Sequence, residues 1–174
     1  MELEESIIHG YSNKIHTGFL GHSYLGEWVN IGASTVTSDL KNDYSTVQVF
    51  VNGELMDTGE LKVGSFIGDH SKTSIGCLLN TGTVIGVMSN VLASVGPTPK
   101  YIPSFVWYFR DRFSRGEGLR RMLRTAEVVK GRRGETMTDE ERQLYRKLYE
   151  MTREERETII KRSRARLRRK LGRV

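Results

Sequence analysis

Aliphatic side chains recur at every sixth position through most of the first hundred residues of this 174-residue chain. Ile7, Phe19, Leu25, Ile31, Leu61, Ile67, Leu79, Ile85 and Val91 all keep one phase. Two residues ahead of each beat from Phe19 onward, the side chain is small where the row can be followed: Thr17, Ser23, Val29, Thr35, then Ser65, Ser71, Cys77, Thr83 and Ser89. A period of six matches neither an amphipathic helix nor a flat alternating strand. It is the repeat of a coiled parallel sheet, in which each hexad makes one short strand and turn and stacked coils share a narrow core. With three hexads to a triangular coil, residues eighteen apart stack, so Ile7 is expected beside Leu25 and Ile67 beside Ile85. Asn13, Thr37 and Thr73 interrupt the aliphatic row and read as polar fillers at coil corners. Each buried aliphatic contributes about 1.5 to 3 kcal/mol.

Residues 5–40 supply two coils and residues 61–96 two more, for an expected total of about four to five. Between them Val47, Val49 and Val51 alternate, and Asn52-Gly53 is a strong two-residue hairpin signal. A hairpin arm over about 42–60 is predicted. All the prolines, Pro97, Pro99 and Pro103, follow the last hexad, and proline cannot keep donating to a ladder, so the coil is expected to end there. The aromatic cluster Tyr101, Phe105, Trp107, Tyr108, Phe109 and Phe113 then reads as a cover for the open bottom coil. Beyond Gly116 the pattern turns helical. A first helix ends at Gly131-Arg132-Arg133-Gly134, and Thr138-x-x-Glu141 and Thr152-x-x-Glu155 each have the form of a capping box. The expected organisation is an all-β parallel β-helix over 1–100, an aromatic cap over 101–115 and a basic α-helical tail over 116–174. Deleting residues 138–174 is expected to leave the β-helix folded.

The runs GFLGHSYLGEWVN, SDLKN, GDHSKT and LNTGTVIGV resemble the hexapeptide-repeat acyltransferases. The particular likeness is to the acetyltransferase half of the bifunctional glucosamine-1-phosphate acetyltransferase and N-acetylglucosamine-1-phosphate uridyltransferase family, in a variant bacterial branch, over about residues 4–110. The resemblance implies a left-handed coil, against the general rule for parallel crossovers. It implies acetyl-CoA as acyl donor, an amino-sugar phosphate such as glucosamine 1-phosphate as acceptor, and a cytoplasmic homotrimer with sites between subunits. The nucleotidyltransferase half is not expected in a chain of this length.

The same resemblance assigns residues. Counting back without a gap from Ile31-Gly32-Ala33 puts the family's catalytic histidine on His16 and a substrate-contact asparagine on Asn30. An imidazole suits the work, since acetyl transfer to an amine needs a base that titrates near neutral pH. Acyl-donor contacts fall on Ile75, Ala93 and Arg110, the first two eighteen apart and so on one face. The chain also departs from the family. Phe19 stands where a tyrosine is expected, and Asp39-Leu40 where the family has Asn-Tyr, which leaves Lys41 as the nearest cation for a substrate phosphate.

Charge divides the chain. Residues 1–115 hold 8 Lys/Arg against 11 Asp/Glu, and residues 116–174 hold 19 against 10, so the basic character belongs to the tail. Acidic residues are interleaved there and Tyr145 and Tyr149 are its aromatics, which favours a solvated or self-associating helix over a nucleic-acid reader. MELEES has no apolar core and no apolar run approaches the roughly 20 residues of a membrane span, so neither a signal peptide nor a membrane partner is expected. The single cysteine, Cys77, reads as packing. His9, His16, His22 and His70 open a zinc reading, because some left-handed β-helix trimers are carbonic anhydrases, but no metal is expected. The rival from another class is a non-catalytic β-helix that trimerises a nucleotidyltransferase domain.

Overall fold

The structure, a computed structural model, describes residues 1–171. Short parallel strands wind into stacked coils, and each coil faces the core with one side chain per strand. One inward column is Ile8, Leu25, Ile67, Ile85 and Ile102, paired in that order. A second contains Leu3 over Leu20 and Thr37 over Leu79. A third ends in Thr73, Val91 and Tyr108. Leu20, Leu25, Ile31, Ile67, Leu79, Ile85, Val91 and Ile102 form one continuous core. This is the parallel β-helix that the six-residue beat requires, consistent with the left-handed form.

The phase slips in the first coil. Ile8, not Ile7, lies over Leu25, and Ile7 is 61% exposed. Leu20 is buried in place of Phe19, leaving only five residues from Leu20 to Leu25 and a first coil of 17 residues by register. Neighbouring strand residues face opposite ways, so one residue lost reverses every position upstream. Asn13 therefore lies on the outer surface, and Lys14 is the buried one. Thr37 and Thr73 are not at corners but in strands, facing inward. Their hydroxyls are satisfied there: Gly21 N donates to Thr37 Oγ1 at 3.2 Å, and Gly32 N donates to Thr73 Oγ1 at 2.9 Å.

The arm is inserted within a coil rather than between coils, since Leu25 pairs directly with Ile67 and Thr37 with Leu79. Its strands, Gln48–Val51 and Glu54–Asp57, meet at Asn52-Gly53, whose φ angles of 48° and 93° are those of a type I′ turn. The base packs on the coils through buried Val47 and Val49, while Leu55 and Met56 at the tip are exposed.

The prolines do not end the coil. Tyr101–Ile102 pairs in parallel with Val84–Ile85, and Trp107–Tyr108 with Asn90–Val91. A hexad uses a strand of only two residues, so proline fits between strands, and Pro103 O there accepts the Ser89 hydroxyl at 2.7 Å. The expected aromatic cap is thus largely a further coil, closed by an antiparallel return strand, Arg112–Ser114.

Three helices follow: α1 Leu119–Gly131, α2 Asp139–Met151 and α3 Arg153–Leu171. The capping box forms at Thr138 and Glu141. At Thr152 it does not, because that hydroxyl donates to Leu148 O and Glu155 instead accepts the Tyr101 hydroxyl at 2.7 Å. The helices dock on one corner of the β-helix. There Tyr11, Trp28, His70, Met88 and Phe105 stand one above another in successive coils, each with φ between 53° and 60°. Such backbone favours glycine, and bulky residues accept the strain because their side chains make the strip that the helices cover. Met88 and Phe105 pack with Met122, Leu123, Ala126, Met137 and Tyr145, and Ile160 of α3 joins the coil core. The tail therefore packs on the β-helix, and its Ile160 lies in the coil core. Of its terminal basic cluster, Arg173 lies outside the described residues.

Candidate active site

His16 lies in the loop that follows the outward residue Asn13, and it is exposed. The loop is pinned from beneath. Buried Lys14 sends its ammonium to His16 O at 3.0 Å and Thr17 O at 3.2 Å, and burial holds its pKa below the ordinary lysine value. One hexad on, His22 occupies a left-handed corner, with φ 47°. Its Nδ1 is 2.8 Å from Asp39 Oδ2 and its Nε2 3.3 Å from Glu5 Oε2. The aspartate that departs from the family pattern is thus bound to a histidine. That pairing joins residues 17 apart, and only the true coil length reveals it.

Asn30 sits on an outward row with Asn13 above it and Lys72 below. Asn13 Nδ2 donates to Asn30 Oδ1, which leaves Asn30 Nδ2 and Asn13 Oδ1 for a ligand. A cavity of about 250 Å³ opens on this row, lined by Tyr11, Trp28, Asn13, Asn30, Lys72 and the end of α1 at Val129, Arg132 and Arg133. Burial pushes the Lys72 ammonium down to about 8, and it donates to His70 O at 2.7 Å. No feature of the hexad pattern pointed to Lys72 or the two arginines; their place follows from the docking of α1.

Lys41 is engaged at the base of the arm, donating to Ser45 Oγ at 3.0 Å and Thr46 O at 2.5 Å. Ile75 is 71% exposed, and the pairing of Thr73 with Val91 sets it and Ala93 on neighbouring coils. The Ala93 amide donates to Ser74 Oγ at 2.8 Å. Arg110 occupies the turn before the return strand, with its guanidinium 5.0 Å from the Phe109 ring centroid. A larger cavity of about 1050 Å³ lies between the arm and α3, walled by Phe50, Phe66, Tyr101, Met151 and Ile159.

Among the described residues, Glu4, His22 and Asp39 make one grouping able to ligate a metal ion. Lys62 lies 3.2 Å from Glu4 Oε1 and competes for that carboxylate. His16 is not part of the group. No helix among the described residues is long and apolar enough to cross a membrane.

No family model matches the chain. It is 35% identical over 91 residues to the bifunctional sugar-1-phosphate nucleotidylyltransferase/acetyltransferase of Sulfurisphaera tokodaii, covering 52% of this chain and 23% of that protein. Against the bifunctional protein GlmU of Methanococcus aeolicus it is 34% identical over 85 residues, 49% of this chain and 20% of that protein. Against the GlmU of Methanocaldococcus jannaschii it is 31% identical over 85 residues, 49% and 21%. The chain spans about a fifth to a quarter of the length of these relatives. Over about half its length the chain is thus a relative of the bifunctional sugar-1-phosphate nucleotidylyltransferase/acetyltransferase and GlmU proteins, and its β-helix is consistent with a hexapeptide-repeat acetyltransferase domain.

Proposed function

We propose that this chain is an acetyl-CoA-dependent N-acetyltransferase of an amino-sugar phosphate, with glucosamine 1-phosphate as acceptor, in nucleotide-sugar synthesis of the UDP-N-acetylglucosamine type. The observation that carries the reading is the ungapped interval from His16 to Asn30-Ile31-Gly32 on a β-helix related to acetyltransferases. In this reading the sugar amine attacks the thioester carbonyl, the carbon–sulfur bond breaks, and His16 takes the amine proton for delivery to the leaving thiolate. Asn30 binds the sugar. Ile75 and Ala93 offer a face along neighbouring coils for the pantetheine arm, and Arg110 a cation for a coenzyme A phosphate.

A homotrimer belongs to the same proposal, and the cytoplasm is its compartment. His16 is exposed on the single chain, and a neighbouring copy would supply the water exclusion that the chemistry needs. The rival is a non-catalytic β-helix that only trimerises a partner domain. Thiol release from acetyl-CoA, measured with a panel of amino sugars and their phosphates, separates the two. Turnover with an amino-sugar phosphate is expected; intact trimers that acetylate no amine would establish the trimerisation module instead.

A further inference from the structure

The cavity beside Asn30 combines three kinds of group that a phosphorylated sugar needs. Tyr11 provides an aromatic wall: its ring is stacked on Trp28 at 4.1 Å and 3°, its hydroxyl is held by Glu135 at 2.7 Å, and 49% of the residue stays exposed. The Asn13–Asn30 pair presents a donor amide at Asn30 and an acceptor oxygen at Asn13 to the cavity. Lys72, Arg132 and Arg133 bring three cations to the same lining. The dipole of α1 alone would account for basic residues at its end. It would not account for their convergence with Lys72 around one amide-lined cavity. Lys41, the cation expected for this role, already serves the arm.

We propose that the groove between α1 and the Asn13–Asn30–Lys72 row is the acceptor's phosphate subsite. Arg132, Arg133 and Lys72 hold a sugar phosphate monoester there, with the sugar ring against Tyr11 and its hydroxyls on the two asparagines. This inference rests on the acetyltransferase reading for the identity of the sugar, but the binding itself does not require turnover. Planar guanidiniums match a phosphate bidentately, so specificity for the phosphorylated sugar belongs to the appended helix rather than to the repeat. Arg132 and Arg133 are both exposed, which makes them expendable for folding.

The test is calorimetric titration of the full chain with glucosamine 1-phosphate, glucosamine and inorganic phosphate, with thiol release measured on the same preparations. Wild type is expected to bind the sugar phosphate about tenfold or more tighter than either fragment. In Arg132→Gln/Arg133→Gln that preference should collapse, while Arg132→Lys/Arg133→Lys restores part of it. Arg120→Gln/Arg124→Gln, at two exposed arginines of the same helix, removes the same two charges and should keep it, and so controls for net charge. A double variant that keeps the preference, a preference lost only in Lys41→Ala, or a wild type that binds inorganic phosphate equally well would each overturn the subsite. Preference lost in the double variant together with a wild type that never releases thiol would support the subsite and sink the acetyltransferase reading. Turnover on glucosamine 1-phosphate with a preference indifferent to both arginines would do the reverse.

Discussion

Lys14 is the residue on which the candidate base depends for its position. Its ammonium holds the carbonyls of His16 and Thr17 from below, and Thr17 O accepts the Ser34 amide as well, at 2.8 Å. Lys14→Met should therefore lower kcat by about tenfold, the worth of a hydrogen bond to a charged group, with acetyl-CoA affinity unchanged. Equal losses of kcat and acetyl-CoA binding in steady-state kinetics would show general damage instead. None of this was legible in sequence, where Asn13 reads as a break in the row and Lys14 falls at no position of the beat. A five-residue step at Leu20–Leu25 leaves no mark in a row of positions that still carries Ile7 and Phe19. The interval from His16 to Asn30 could be counted within one ungapped run, but Lys72 and the adjacent Arg132-Arg133 pair come from two other segments.

Between the β-helix and the helices, His70 is the element contact with a measurable pH signature. It is buried against Trp28 at 5.9 Å and Tyr145 at 5.4 Å, and its Nδ1 has no hydrogen-bond partner among the described residues. Burial first, then Lys72 and Lys130, pushes its imidazole down to about 3, with Glu141 opposing. Above the ordinary histidine value both folded and unfolded chains are neutral here, so nothing is lost. As pH falls from about 6.5 to 3 only the unfolded chain takes the proton, and stability should drop by about 1.4 kcal/mol per pH unit from this site. His70→Gln should flatten that part of a urea-stability profile; an unchanged slope would mean the imidazole is not buried neutral. Ile160→Ala tests the other junction and should cost about 2 to 5 kcal/mol, because Ile160 completes the coil core from α3. A loss under about 0.5 kcal/mol would return the tail to the status of an appendage. The sequence showed the helices and the Thr138 cap, since periodicity and capping are local. It hid their docking strip, because Trp28, His70, Met88 and Phe105 share no residue type and meet only when the coils are stacked.

Over the whole molecule, one outer face carries an apolar row, Ile7, Tyr24 and Phe66, stacked by register and 61%, 41% and 38% exposed, with Phe66 at the edge of the cavity beside α3. A contiguous stripe of this kind marks an interaction surface. Light scattering at micromolar concentration should report a trimer, and a stable monomer would remove the means of covering both this stripe and His16. The coiled architecture and the hairpin arm could be read from a six-residue beat and Asn52-Gly53, since each is encoded within one repeat or one turn. Where the coils close was less legible, because prolines between two-residue strands look the same as prolines that end a sheet.

The proposed acetyl transfer depends on His16 as its base. The deciding measurement is kcat for thiol release with glucosamine 1-phosphate in wild type, His16→Ala and His22→Ala. General-base catalysis predicts a loss of about 10² to 10⁴ for His16→Ala, with trimer and acetyl-CoA affinity intact, and a several-fold effect at most for His22→Ala. Activity retained by His16→Ala and abolished by His22→Ala would contradict it and move the chemistry to the His22–Asp39 pair.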